Sequence, residues 1–399
     1  MYIHPHWRQF DIPGIPDLHF YLVGIYIGII GIIGVIGNML VVFVFCKTKT
    51  LRTPPNMFVI CLALSDTTFS AVNGFPLFTL SAFQRRWTFG MKTCEIYGLF
   101  GGIFGLLSIN TMALIALDRY FVIATPFDAL KRMTKKRAFI MIVFSCIWST
   151  IWAGLPLFGF GAYIPEGFQS SCTFDYLTRS LSNIIFNIGL YLFGFAFPMM
   201  TIIFCYVKIV LAVRQHEREM VKMAKAMNAK DMRSGKDKKS DIQAAKISAV
   251  LVALYVLSWG PYATVALMGL IGDSALLGPY VAQIPVLFAK TSAVYNPIVY
   301  AISHPKYKIA LVKEFPCMAC FISVPKKSLS RTDTGGVSGR GGSISQASSE
   351  TDIVSPGIVQ SPSTNTVATT VTQNTELKNI GTPTSASQQD MNQQAEMHM

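Results

Sequence analysis

Charge is what this sequence has least of. Asp, Glu, Lys and Arg make up 14% of its 399 residues, against 51% hydrophobic residues, and the mean hydropathy is +0.43. That shortage excludes an ordinary soluble domain and points to a membrane protein. The apolar runs also lack the two-residue alternation that membrane-spanning strands need over about ten residues, so helices are expected. There is no internal repeat of the kind that builds many transporters. No Asn-x-Ser/Thr sequon occurs, so N-glycosylation is not expected. Residues 1–20 hold three prolines and no apolar core of signal-peptide length, so the first helix is expected to serve as an uncleaved targeting signal. No set of metal-ligating side chains stands out, and no metal is expected.

What the chain does have is apolar length. Seven segments, approximately 21–46, 56–82, 94–122, 138–160, 183–212, 245–271 and 279–302, reach the roughly 17–25 residues that cross a core about 30 Å thick. The expected fold is an all-α membrane protein, a seven-transmembrane helix bundle in a lipid bilayer. Lys and Arg collect in alternate loops: Lys47, Lys49 and Arg52 after the first span, Lys131, Arg132, Lys135, Lys136 and Arg137 after the third, and many between Arg214 and Lys246. The opposite loops carry Arg85, Arg86 and Lys92 in one, Arg179 in another and none in the last. The positive-inside rule then places the N-terminus outside and the C-terminus in the cytoplasm. The formal net charge of +13 mostly reflects this asymmetry, so no nucleic-acid partner is expected.

Of the eight cysteines, only Cys94 and Cys172 face the oxidising side. A bridge between them would pin the loop after the fourth helix over the bundle mouth; two free buried thiols are the alternative. From Lys327 the chain turns rich in Ser, Thr, Gly and Gln with almost no aromatics, a composition that cannot bury enough surface to fold. Ahead of that tail, residues 304–315 read as a short amphipathic helix on the inner leaflet, followed by Cys317 and Cys320 placed for palmitoylation.

Several residues are out of place in lipid. Lys290 stands mid-way along the last span, where an amine costs about 2.5–3.5 kcal/mol and usually faces the bundle interior. It is about ten residues past Pro279 and about twelve before Ile302, so at roughly 1.5 Å per residue its stem cannot reach either interface. That leaves a buried ion pair or a covalently modified amine. Asp66 is a second intramembrane charge, either a structural hydrogen-bonded carboxyl or part of an ion or water path. Asp118-Arg119-Tyr120 forms a charged step at the inner end of the third helix. Pro198, Pro261 and Pro297 each interrupt a span and free backbone carbonyls, giving either static kinks or two-position joints. No Gly or Pro lies between Pro198 and Gly235, or between Gly235 and Gly260, so the fifth and sixth helices either extend into a cytoplasmic hairpin or give way to a solvated basic linker.

Together these marks resemble a rhodopsin-like G protein-coupled receptor over about residues 20–320. They are Gly37-Asn38, Leu62 to Asp66, Cys94 with Cys172, Asp118-Arg119-Tyr120, Trp148, Pro198, Trp259-Gly260-Pro261-Tyr262 and Asn296-Pro297-Ile298-Val299-Tyr300. Lys290 precedes Asn296 by six residues, the spacing that in opsins holds retinal as a Schiff base. The resemblance implies covalent 11-cis retinal on Lys290, and condensation with an aldehyde is an established use of a lysine nucleophile. Vertebrate visual opsins have a glutamate where this chain has Tyr97, whereas Glu166, six residues before Cys172, matches the loop carboxylate of invertebrate-type opsins. The resemblance therefore implies Glu166 as counter-ion, with Tyr97 and Asn73 beside the imine; Glu95 is the competitor, set aside on helical phase. It further implies a pocket shaped by Gly101, Gly102, Gly105, Tyr191, Phe195, Trp259 and Tyr262, although small residues at 101, 102 and 105 also serve close helix packing.

His304-Pro305-Lys306 and the long basic hairpin resemble rhabdomeric opsins and melanopsins, which couple to the Gq class and phospholipase C. Asp66, Asp118, Arg119, Tyr120, Asn296, Pro297, Tyr300, His304, Pro305 and Lys306 would then form the switch and coupling face. The implied organisation is an extracellular N-terminus over 1–20, a retinal-binding bundle over 21–302, an amphipathic palmitoylated segment over 303–320 and a disordered Ser/Thr-rich tail over 321–399 that meets receptor kinase and arrestin. The expected location is a plasma or photoreceptor membrane. The expected protein is a receptor rather than an enzyme, with a stable photoproduct that a second photon reverses. A retinal photoisomerase and a receptor for a diffusible ligand are the rival readings.

Overall fold

A computed structural model describes residues 3–125, 133–226 and 236–322; the tail, the hairpin tip and the loop holding Lys131 and Arg132 lie outside the described residues. A one-turn helix α1 (Pro5–Arg8) precedes the long α2 (Asp17–Lys47). The next span is α3 (Asn56–Asn73) continued by α4 (Leu77–Phe83). It is followed by α5 (Gly90–Ala124) and α6 (Lys135–Gly154), the latter capped by Thr134, whose hydroxyl accepts from the Arg137 amide at 3.3 Å. Two short strands, β1 (Tyr163–Glu166) and β2 (Ser171–Phe174), then form an antiparallel hairpin that pairs Glu166 with Ser171 and Pro165 with Cys172. The remaining elements are α7 (Leu181–Gly189), α8 (Phe197–Ala226), α9 (Lys236–Ile271), α10 (Pro279–Ser303) and α11 (Pro305–Glu314).

Six helices among the described residues are long and apolar enough to cross a membrane. The seventh, α10, has 25 residues but falls short in apolarity, because Gln283, Lys290 and Asn296 interrupt it. α6 shows where lipid belongs: only 22% of its apolar window is buried, and Phe139, Phe144, Ile147 and Ile151 point outward. α5 lies at the centre, packing against α3, α6, α8 and α9, which is why its glycines and buried polar residues bear on the interior.

Pro261 and Pro297 sit inside unbroken helices, as does Pro285. Pro198 does something different. Without an N–H to continue the ladder, it follows a π-helical turn over Leu190–Ala196 that widens the helix between α7 and α8. The fifth helix runs on to Ala226 and the sixth begins at Lys236, so both extend well past the apolar core. Cys94 and Cys172 are bonded, with Cα atoms 5.5 Å apart, tying β2 to the N-terminal end of α5. The turn between the strands uses Gly167 at φ +56°; a Cβ there would also come within 2.8 Å of the Gln283 side-chain oxygen.

Candidate functional site

Lys290 projects from α10 into the bundle, as the one-sided lipid exposure of that helix requires. Its Nζ lies 4.5 Å from the centre of the Phe69 ring and 5.1 Å from that of Tyr97, within cation–π reach. No carboxylate oxygen stands within 4.0 Å of it among the described residues. Asn73 and Tyr97 clasp each other across α3 and α5: the Asn73 amide donates to the Tyr97 carbonyl at 2.8 Å, and the Tyr97 hydroxyl donates to the Asn73 carbonyl at 3.0 Å. The side-chain oxygen of Asn73 is buried and has no partner among the described residues. It is therefore an open acceptor on a residue that shares the cavity wall with Lys290.

Glu166 ends β1 and is 3% exposed. Its Oε2 accepts from the Tyr262 hydroxyl at 3.3 Å and the Tyr176 hydroxyl at 3.4 Å, and Tyr262 is also hydrogen-bonded to Thr173 on β2. Burial pushes the carboxyl up to about 7; the Lys290 ammonium is the strongest opposing influence, followed by the two tyrosine hydroxyls. Glu95, in contrast, is ion-paired with Lys92 at 2.9 Å in the first turns of α5.

Glu166 and Lys290 both line an apolar cavity of about 160 Å³. Gly101, Gly102 and Gly105 form one wall, and Tyr191 and Phe195 from the π-helical turn form another. Trp259 and Tyr262 close it from α9. The glycines are needed: a Cβ at Gly102 would lie 2.9 Å from the Ala153 side chain, and one at Gly105 would lie 3.2 Å from the Trp259 ring. Asn73 is on the wall, whereas Tyr97 stands behind it, between Lys290 and Trp87. Sequence reasoning missed Phe69, Tyr163, Thr173, Phe186 and Tyr255, which also line the cavity. Of these only Tyr163 carried a local signal, being a large residue three positions before Glu166 on the same strand. Its ring occupies the space a side chain at Gly98 would need.

Below the cavity, the Trp259 indole donates to the Ser292 hydroxyl at 2.9 Å. Asp66 accepts from Ser108 at 2.9 Å and from the Asn296 amide, joining α3, α5 and α10. Farther down, Asp118 and Arg119 are ion-paired, and the Tyr120 ring meets Phe204 at 5.8 Å. Pro297 packs where a Cβ on Gly37 would sit. Tyr300 packs edge-on or tilted against Phe45, His304 and Tyr307, and its hydroxyl is buried with no partner among the described residues. His304 caps α11 by accepting from the Tyr307 amide at 3.1 Å, Pro305 opens that helix, and Lys306 is exposed. Cys317 and Cys320 follow on the surface.

This ordered set of interior polar groups matches a known architecture. The family described as 7 transmembrane receptor (rhodopsin family) matches residues 37–300. The chain belongs to the rhodopsin family of seven-transmembrane receptors. It is 50% identical over 315 residues to the rhodopsin of Enteroctopus dofleini, covering 79% of this chain and 69% of that one. It is 43% identical over 333 residues to the "Rhodopsin, GQ-coupled" of Mizuhopecten yessoensis, covering 83% and 66%. The crystal structure of squid rhodopsin superposes with a TM-score of 0.77 at 46% identity, covering 84% of this chain and 97% of that one. The opsin resemblance is thereby borne out: the protein is a multi-pass, light-sensing G protein-coupled receptor, and its relatives are signalling proteins rather than enzymes.

Proposed function

We propose that this opsin holds 11-cis retinal covalently on Lys290, uses Glu166 as the counter-ion, and activates a Gq-class G protein and phospholipase C. The observation that carries the reading is a lone interior amine on the wall of an apolar cavity, with no carboxylate in contact and a buried carboxyl on the lid above. A hydrocarbon ligand with one aldehyde end fits that donor set; a ligand bearing its own carboxylate would find Glu166 repelling it. Retinal, bound as a protonated Schiff base, supplies the light-driven cis-to-trans change of shape.

The residues of this chain do the rest. Lys290 would hold the chromophore covalently through Nζ, with water as the other product. The free side-chain oxygen of Asn73 would accept a hydrogen bond from the cationic nitrogen, with Tyr97 closing the space behind it. The Tyr262 and Tyr176 hydroxyls hold the Glu166 carboxylate where it balances the charge at a distance. Because that balance does not depend on direct contact, it would survive a change of ligand shape, which supports a stable, photoreversible product.

A shape change in the cavity presses on Trp259, which is backed by Gly105 and tethered to Ser292 on α10. Pro261 gives α9 its joint, and Asp66 with Asn296 and Pro297 passes the movement to Tyr300. Parting of Arg119 from Asp118 beside Tyr120 then opens the face that meets the G protein, with His304, Pro305 and Lys306 at its edge. Cis ligand favours the closed population and trans ligand the open one. The N-terminus lies outside, residues 321–399 form a cytoplasmic tail for receptor kinase and arrestin, and Cys317 and Cys320 carry palmitate at a plasma or photoreceptor membrane.

The test is an absorption spectrum of the purified chain after dark incubation with 11-cis retinal, beside Lys290→Ala. A visible band that requires Lys290 and shifts with light is expected. Absence of a band in folded protein would overturn the reading and leave a receptor for a diffusible ligand.

A further inference from the structure

The N-terminal segment is tied to the rest of the molecule by two histidines, and their hydrogen bonds fix where each proton sits. Thr178, in the loop after β2, donates its hydroxyl to Asp175 Oδ2 at 2.5 Å. Its oxygen is therefore left to accept from His4 Nε2 at 3.1 Å, which requires the proton to be on Nε2. On the other side of the ring, the His6 amide donates to His4 Nδ1 at 3.2 Å, which requires Nδ1 to be bare. His6 follows the same pattern: its Nε2 donates to the Leu277 carbonyl at 2.9 Å in the loop before α10, while its Nδ1 faces the Gln9 amide at 3.3 Å. The one-turn helix α1 is thus clamped to both loops that flank the mouth of the bundle. Between the clamps Trp7 is 1% exposed and packs in one cluster with Phe168, Tyr176 and Leu277.

We propose that residues 3–10 form a proton-sensitive latch: protonating His4 breaks the cap of α1 and frees the segment that joins the two loops. The reason is geometric. A second proton on His4 must go to Nδ1, where it would meet the His6 N–H head-on, two donors with no acceptor between them. The contact that starts α1 is lost, and the helix has too few turns to survive without its cap. The latch does not depend on which ligand the cavity holds.

The charged surroundings set the direction. Burial holds the His4 imidazole below its ordinary value of 6.5; Asp175, from the loop after β2, opposes this, while His6 and Arg8 from the same segment add to it. A released His4 titrates near that ordinary value and a latched one lower. Above it the latch is fully formed, and as the pH falls below about 6.5 the released form takes up the proton and gains population, by up to about tenfold per pH unit. Asp175 is also the hub of the loop, accepting from the Leu177 and Thr178 amides at 2.9 Å each, so release of His4 is felt one residue from Tyr176 and the Glu166 network.

Amide hydrogen exchange of the full chain in nanodiscs, expressed as protection relative to intrinsic rates at each pH, tests this. Protection over residues 5–10 and at Leu177 and Thr178 should fall roughly tenfold or more from about pH 7.5 to about pH 5. His4→Asn, which keeps a capping oxygen but cannot titrate in this range, should remove the pH dependence. Thr178→Val leaves the histidine in place and removes its partner, so protection should be low at both pH values. Unchanged wild-type protection on acidification would overturn the latch, as would an equally steep fall in His4→Asn.

Discussion

At the N-terminal end of the bundle, the Cys94–Cys172 bond, the β1–β2 hairpin and the hydroxyls of Tyr176, Tyr262 and Thr173 bind the lid to α5 and α9. At the other end, the helices meet through apolar packing and the Lys47–Glu314 ion pair between α2 and α11, and the buried hydroxyl of Tyr300 has no partner among the described residues. A buried hydroxyl left unpaired costs about 1–3 kcal/mol, and the same group becomes an asset in an arrangement that supplies a partner. The hairpin end is fastened by a covalent bond and by hydroxyls that reach across to α9, whereas the Tyr300 end has no such fastening at its buried hydroxyl.

The contrast is most easily broken at the disulfide. Cys172→Ser opens a bridge spanning 78 residues and should cost about 2–5 kcal/mol, read as a large fall in the melting midpoint and in the yield of folded receptor. Tyr262→Phe comes next: it strips hydrogen bonds from Glu166 and Thr173 together and should cost about 1–3 kcal/mol in thermal denaturation. If it costs nothing, the lid is not held by these hydroxyls.

The unliganded receptor should also report Glu166 through pH. Its carboxyl titrates near 4.5 in the unfolded chain and at about 7 in the folded one, so the folded state holds the proton more tightly. The stabilisation is complete below 4.5 and is lost as the pH rises through about 7, and Glu166→Gln should flatten the melting midpoint over that window. The smallest effect belongs to the other end. Tyr300→Phe removes an unpartnered hydroxyl and should leave stability within about 0.5 kcal/mol or raise it, while slowing light-dependent nucleotide exchange on the G protein. A destabilisation as large as that of Tyr262→Phe would erase the distinction between the two ends.

Much of the frame could be read in advance because lipid leaves so few choices. Lys290 and Asp66 are conspicuous in the sequence as charged groups in apolar runs, whereas Asn296 stands out only through the family motif, and its pairing with Asp66 emerges from the structure. Cys94 and Cys172 followed from topology. The π-helical turn at Leu190–Ala196 was not legible, because Pro198 announces a broken ladder without saying whether the helix bends or widens. Nor was the β-hairpin: its strands are four residues long and buried nearly throughout, so they lack the alternation that marks a surface strand. The roles of Thr173 and Tyr176 depend on that hairpin's register and were hidden with it. The N-terminal strap was equally obscure, since its contacts lie more than 170 residues away in sequence.

Gly98 carries the Tyr163 ring in the space where any other residue would place its first carbon, 2.2 Å from a ring atom. Tyr163 in turn anchors its strand by donating to the Ala153 carbonyl at 2.8 Å, three residues from Glu166. The absence of one carbon atom on the central helix therefore sets how deeply the lid is seated, and with it the height of a negative charge along the cavity. A side chain at Gly98 should therefore act on a bound ligand through the height of that charge as well as through the stretch of cavity wall that Gly98 itself forms.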